Sequence, residues 1–214
     1  MVRRGQQRSG EREEAVTPVE AAWLTELSAR TINATIDRGE LGARARTRSS
    51  STRRARRLGA AEVVYLVLRK ELADVLSPSA KRELYERLVV LALRDVFNVR
   101  MQSSAQGELE IELADGLLRV EVKRAWRRVS KRWVALRRAA SLVVSDPEIR
   151  GGEPVIRGTR VPVYFVADLV DQGADLNEIL DDYPALNAAK VRSAVAFART
   201  HPRRGRPRNA PWRT

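Results

Sequence analysis

The sequence predicts a mainly α-helical protein with one small β-hairpin. Three observations carry that expectation. Apolar residues recur at helical spacing behind local capping residues over most of the chain. Only Gly107 to Val122 alternates with the period of two that marks a half-buried strand pair. Residues 145–163, reading SDPEIRGGEPVIRGTRVPV, crowd glycines and prolines around two short apolar runs and lead into three short helical segments.

Taken in order, residues 1–16 are polar, charged and aperiodic, and read as a disordered basic arm. Structure is expected to begin at Thr17-Pro18-Val19-Glu20, where Thr17 caps, Pro18 suits the first helical position and Glu20 completes a capping box. Ser28 caps a second helix over Ala29 to Arg38, closed by Gly39. Ile32 and Ile36 face inward with Leu27 and Leu41, which leaves Arg30, Thr31, Asn33 and Arg38 outward. A helical hairpin with a polar face at the start of its second helix can present side chains to base edges in the major groove. The alternative for exposed arginines on such a hairpin is a solvated surface.

Between Leu41 and Leu58 lie Arg44, Arg46, Arg48, Arg53, Arg54, Arg56 and Arg57, interleaved with serines and threonines. Arginine and hydroxyl side chains are what phosphate contacts use, and so dense a run of one sign repels itself unless an anion compensates it. The order Gly39-Glu40-Leu41, basic loop, then Glu62-Val63-Val64-Tyr65 resembles winged helices of the MerR and excisionase type over residues 18–72. That resemblance implies a winged helix-turn-helix, with a basic wing and a third helix packed across the first two.

Ala60 to Val75 reads as a helix with Val63, Val64, Val67, Leu68, Leu72 and Val75 on a wide apolar face. Ser77-Pro78 starts another, to about Phe97, burying Leu84, Leu88, Leu91, Ala92 and Val96. Faces that broad on a small domain suggest a homodimer, with Leu68–Leu72 and Leu84–Leu91 as its surface. The first lobe therefore covers residues 17–100. Residues 101–142 follow as a hairpin, with Leu109, Ile111, Leu113, a turn at Asp115-Gly116, then Leu118, Val120 and Val122, and a linking basic helix from Trp126 to Leu142. In that helix Val129, Trp133, Leu136 and Ala140 are expected to be buried. Asp115 with Glu121-Val122-Lys123 superficially matches the carboxylates and lysine of Mg-dependent nucleases. Asp-Gly already has a conformational reason to occupy a turn, however, and strand alternation puts Glu121 and Lys123 on the solvent side. No catalytic residue is assigned.

The C-terminal segment, residues 143–201, carries the most specific pattern. Gly158 stands where an extended piece must turn, so a positive φ is expected there, and Pro162 is expected to open the next helix. Val163, Val166, Leu169 and Val170 form its stripe, which stops at Gly173. Asp175 with Glu178 caps a helix bearing Ile179, Leu180 and Tyr183, ended by Pro184. Asn187 caps a third whose stripe is Val191, Ala194, Val195 and Ala198. Three short amphipathic helices on tight turns make a trihelical, helix-turn-helix-like unit. One of Arg157 and Arg160 is expected to tie the loop to an acid or to backbone carbonyls, and the other to be free for an acidic partner; the residue types do not say which.

DPEIRGGEPVIRGTRVPV followed by DQGADLNEILDDYPAL resembles the small domain of VapB-type antitoxins, over residues 143–201. The resemblance implies an antitoxin of a type II toxin–antitoxin pair that neutralises a PIN-like ribonuclease toxin and represses its own operon by binding double-stranded operator DNA. Toxin contacts would then draw on the motif Arg157, Gly158, Thr159 and Arg160. They would also draw on the basic tail, residues 202–214, with Arg206, Arg208 and Trp212, for which the alternative is a frayed basic terminus. Guanidinium groups and an indole suit a toxin site rich in carboxylates.

Composition narrows the chemistry. The 214 residues hold 40 Lys and Arg against 27 Asp and Glu, a net charge of +13, which favours a polyanionic partner. With no cysteine there are no disulfides, thiolate metal sites or cysteine nucleophiles, and one histidine leaves few acid–base arrangements, so no metal or cofactor is expected. Neither a membrane span nor a secretory h-region is evident, which points to the cytoplasm. The alternative function is a stand-alone dimeric DNA-binding transcription regulator without a toxin; a Mg-dependent nuclease is more remote.

Overall fold

Helices form where the capping residues anticipate them. The structure, a computed structural model, describes residues 15–42, 48–50, 53–93, 110–113 and 118–203. These residues are mainly helical, with three two-stranded antiparallel ribbons. They divide into two compact units that part inside one helix, between Val134 and Ala135.

In the first unit, α1 spans Pro18–Thr25 and α2 spans Ala29–Asp37. The capping box at α1 is complete. The Thr17 amide donates to Glu20 Oε2 at 2.7 Å, and the Glu20 amide to Thr17 Oγ1 at 3.2 Å. A ribbon follows, β1 (Arg48–Ser50) antiparallel to β2 (Arg53–Ala55), with Ser49 opposite Arg54. At its base Val16 and Leu58 exchange backbone hydrogen bonds of 2.8 Å, so the chain entering α1 is stitched to the chain leaving the ribbon. Helix α3 (Ala60–Glu71) packs against α1 and against α4 (Pro78–Leu93).

Tyr85 links these layers. Its hydroxyl lies 2.9 Å from the Leu41 carbonyl and 3.0 Å from Glu62 Oε1, while Glu62 Oε2 accepts the Gly59 amide at the start of α3. A buried carboxylate is thereby satisfied on both oxygens.

One expectation needs correction. Helix α3 ends at Glu71 rather than Val75; once the turn breaks at Leu72 the helical phase is lost, Leu76 points inward and Val75 is 62% exposed. On the stretches expected to join two copies, Leu68–Leu72 and Leu84–Leu91, the packing of α3 on α4 buries Leu68, Leu84 and Leu88 inside one copy, while Leu72 and Leu91 stay half-buried and Val90 is 46% exposed. Val96 and Phe97 lie outside the described residues.

The hairpin consists of β3 (Glu110–Leu113) and β4 (Leu118–Glu121), with Ile111 opposite Val120 and Leu113 opposite Leu118. Its turn at Asp115-Gly116, like Leu109, lies outside the described residues. Helix α5 (Val122–Ser141) leaves β4 directly, one turn earlier than the sequence suggests, and Val122 is its first helical residue. Its buried stripe is Val122, Ala125, Trp126, Val129, Trp133, Leu136 and Ala139. Ala139 therefore takes the place expected for Ala140, which is exposed.

In the second unit β5 (Val143–Val144) pairs with β6 (Val155–Ile156), a ribbon the sequence did not announce. Helices α6 (Val163–Asp171), α7 (Leu176–Asp182) and α8 (Ala188–Thr200) follow. Ile156, Val163, Val166, Ile179, Leu186, Val191 and Ala194 form their shared core. Pro162 sits one place before the first helical residue of α6, not within it. The Asp175–Glu178 box and the Asn187 cap both form.

Candidate nucleic-acid interface and partner groove

The first unit brings α2 beside a ribbon whose sequence is arginine-rich. Ser28 accepts the Thr31 amide at 3.0 Å and shares a hydrogen bond with the Thr31 hydroxyl, fixing the first turn of α2. Arg30 stands exposed on that turn and pairs with none of the described residues. Arg38, also exposed, reaches Glu40 Oε1 at 2.6 Å; the other Glu40 oxygen takes Arg69 at 2.7 Å.

Asn33 corrects the outward face expected for it. Its Nδ2 donates to the Ala29 carbonyl at 2.9 Å, and its Oδ1 accepts from Arg56 at 2.6 Å. Arg56 also reaches Asp37 at 2.5 Å. Both ends of the amide are engaged, so Asn33 joins the root of the ribbon to α2 rather than offering a free edge to a base. Arg48, Arg53 and Arg54 have their backbones on β1 and β2; Arg44 and Arg46 lie outside the described residues.

Helix α5 secures the turn between α1 and α2. Arg132 donates to the Trp23 carbonyl at 3.3 Å and pairs with Glu26, whose left-handed backbone (φ 56°) ends α1. A guanidinium at a helix C-terminus meets its unpaired carbonyls and the negative end of its dipole. The Arg132 hydrogen bond, with its charge, holds the Glu26 carboxyl below the usual range. One turn earlier, Arg128 meets Glu71 at 2.5 Å.

In the second unit the two motif arginines separate. Arg157 turns back: its amide donates to the Leu142 carbonyl at 2.8 Å and its Nε to the Ser141 carbonyl at 2.9 Å. It therefore caps the last turn of α5. Gly158 has φ 74°, as expected, and a Cβ there would meet nothing within 4 Å, so only backbone conformation demands glycine. Thr159 closes the turn, donating to the Ile156 carbonyl at 2.8 Å and accepting the Val161 amide at 3.1 Å.

Arg160 points elsewhere. It is exposed, pairs with none of the described residues, and lines a groove of about 590 Å³. Arg150, Glu153, Pro162, Phe165, Tyr183 and Arg203 also line this groove. Phe165 is 37% exposed and meets Tyr183 edge to face, with centroids 5.6 Å apart. Arg150 pairs with Glu153 at 3.0 Å, and Arg203 pairs with Asp168 at 3.1 Å while lying 4.9 Å over the Tyr164 ring. The Tyr164 hydroxyl donates to the His201 carbonyl at 2.7 Å, which holds the chain where it leaves α8 toward residue 203. Arg150, Gly151 and Gly152 all have positive φ (51°, 66° and 85°), so the Gly-Gly pair completes a left-handed turn that Arg150 enters at a steric cost.

Sequence reasoning placed Arg56 among the phosphate-contacting arginines and missed its tie to Asn33 and Asp37, as it missed Arg132 and the groove aromatics. Nothing in a run of seven arginines singles out Arg56. Phe165 did carry a signal, as a large aromatic one place off the Val163–Val166–Val170 stripe of a short helix. Arg206, Arg208 and Trp212 lie outside the described residues, as does Asp115; Glu121 is exposed. Among the described residues no group of three or more His, Asp or Glu could hold a metal ion, and no helix is long and apolar enough to cross a membrane.

By fold, the second unit is a small trihelical domain entered through a β-ribbon. Comparison with known proteins places a match there: residues 143–198 fit the family described as "Protein of unknown function (DUF433)". The chain is also 43% identical over 91 residues to "Uncharacterized protein y4eO" of Sinorhizobium fredii (strain NBRC 101917 / NGR234). That alignment covers 42% of this chain and 41% of the relative, so the chain spans less than half the relative's length. No solved structure matches the chain.

Proposed function

We propose that the protein is a DNA-binding regulator of the antitoxin kind, whose first unit reads operator DNA and whose second unit engages a PIN-like ribonuclease toxin. The observation that carries the DNA half is the junction of α2 with the arginine ribbon. A capped helix exposes Arg30 on its first turn, and a two-stranded basic ribbon is fastened beside it through Arg56, with the Val16–Leu58 bridge tying the ribbon's exit to the chain entering α1. Such a pair fits one helix in the major groove with a wing along the phosphates. The net charge of +13 supports it. The toxin half rests on the motif resemblance and on Arg160, which pairs with none of the described residues and lies beside the exposed Phe165. Operator binding as a homodimer belongs to the same proposal, since one winged helix reads few base pairs.

Selection from random duplexes by the full chain should enrich one sequence with two-fold symmetry, and a small ribonuclease should co-purify from the native host. Enrichment without the ribonuclease would favour the stand-alone regulator. Failure to prefer any duplex would overturn the DNA half, and Mg²⁺-dependent cleavage by the chain alone would establish the nuclease instead.

A further inference from the structure

The groove beside α6 has a composition that selects its occupant. Three arginines line it, but two are already neutralised, Arg150 by Glu153 and Arg203 by Asp168. Among the described lining residues Arg160 alone is a cation without such a partner. Next to it lie Val161, Pro162 and the exposed flank of Phe165, braced by Tyr183. About 590 Å³ falls within the ~300–1,000 Å³ of ordinary ligand pockets.

A nucleic-acid backbone would meet this surface poorly. Phosphate runs need several uncompensated cations, and here two carboxylates stand in the wall. A single guanidinium beside an aromatic wall matches a carboxylate close to an apolar side chain, the first held bidentately and the second sheltered from water. The Arg150 turn gives a second indication. A non-glycine residue in the left-handed region persists only where its surroundings over-determine it, and such positions gather at binding sites.

We infer that this groove is a docking site for a short acidic-and-apolar peptide segment of a protein partner, anchored by a carboxylate on Arg160 and an apolar side chain against Phe165. The inference deepens the proposed toxin contact, and rests on that reading for the partner's identity alone.

The test is a displayed library of random peptides panned on the full chain, alongside Arg160→Ala and Phe165→Ser. Wild type should enrich peptides with Asp or Glu within three positions of a large apolar residue. A synthesised winner should bind Arg160→Ala at least about tenfold more weakly by calorimetry, as loss of a charge-assisted pair in a desolvated site requires. Arg160→Lys should recover part of the affinity. Because Arg160 has no described internal partner, its variants should melt with wild type, which separates lost binding from lost folding. Winners without acids, equal binding by Arg160→Ala, or no enrichment would overturn the site. So would an Arg160-dependent affinity for single-stranded DNA in place of peptide. A ribonuclease that co-purifies equally with Arg160→Ala would sink the groove and leave the toxin reading standing; peptide binding with no ribonuclease would do the reverse.

Discussion

The guanidinium of Arg56 donates to Oδ1 of Asn33 at 2.6 Å across 23 residues of chain. This bond lashes the root of the basic ribbon to α2, and Asp37 completes it at 2.5 Å. Asn33→Ala and Arg56→Ala should each lower the melting temperature. A double-mutant cycle should return a coupling of about 0.5–1.5 kcal/mol, the net worth of a partly buried hydrogen bond. Sequence preference should fall further with Arg30→Ala than with Asn33→Ala. If Asn33→Ala alone abolished preference while Arg56→Ala left it intact, Asn33 must leave Arg56 on the DNA.

The ribbon arginines are expected to act on affinity rather than on sequence. Replacing Arg53 and Arg54 with alanine should weaken binding to every duplex and flatten the slope of log affinity against log salt by roughly 1 to 2 units. Fluorescence anisotropy at several salt concentrations measures this. An unchanged slope would remove these side chains from the phosphate contact.

Gly158 tests backbone conformation in isolation. With φ 74° and open space around its Cβ position, Gly158→Val should destabilise the second unit by about 1–2 kcal/mol or somewhat more, because a branched residue tolerates the left-handed region poorly. Gly158→Asn should cost less, since asparagine enters that region more readily. Equal melting temperatures for the two variants would contradict a conformational cause.

Arg157 and Arg160, three places apart, should separate cleanly. Arg157→Ala loses the bond to the Ser141 carbonyl and should reduce stability by about 1 kcal/mol. Arg160→Ala should leave the melting temperature within error and reduce partner binding. Calorimetric melts beside binding titrations read both, and the opposite pattern would exchange the roles of the two arginines.

Glu26 sets a pH dependence. Its carboxyl is held below the ordinary value, first by the Arg132 hydrogen bond and then by that residue's charge. The folded state thus binds its proton more weakly than the unfolded state. The stabilisation is complete above the unfolded value, about 4.3, and fades as pH falls through the lower folded one. Arg132→Ala should return Glu26 toward its ordinary titration in carboxyl NMR. No upward shift would mean that the pair does not persist in solution.

Capping is local, and whatever capping controls can be read from the chain alone. Thr17 with Glu20, Ser28, Asp175 with Glu178, and Asn187 each start a helix where they were expected to, because donor and acceptor lie within three residues. The mainly helical class and the left-handed Gly158 were legible for the same reason. The rest depended on contacts made in three dimensions. Arg56 is spent on Asn33, Arg157 on Ser141, and Leu68, Leu84 and Leu88 on the packing of α3 against α4. A guanidinium, or an apolar stripe, has the same composition whether its partner is solvent, another chain or a residue far along its own. Which of these it meets is settled when the chain folds back on itself, and that is why Arg160 and Phe165 stand open while their neighbours do not.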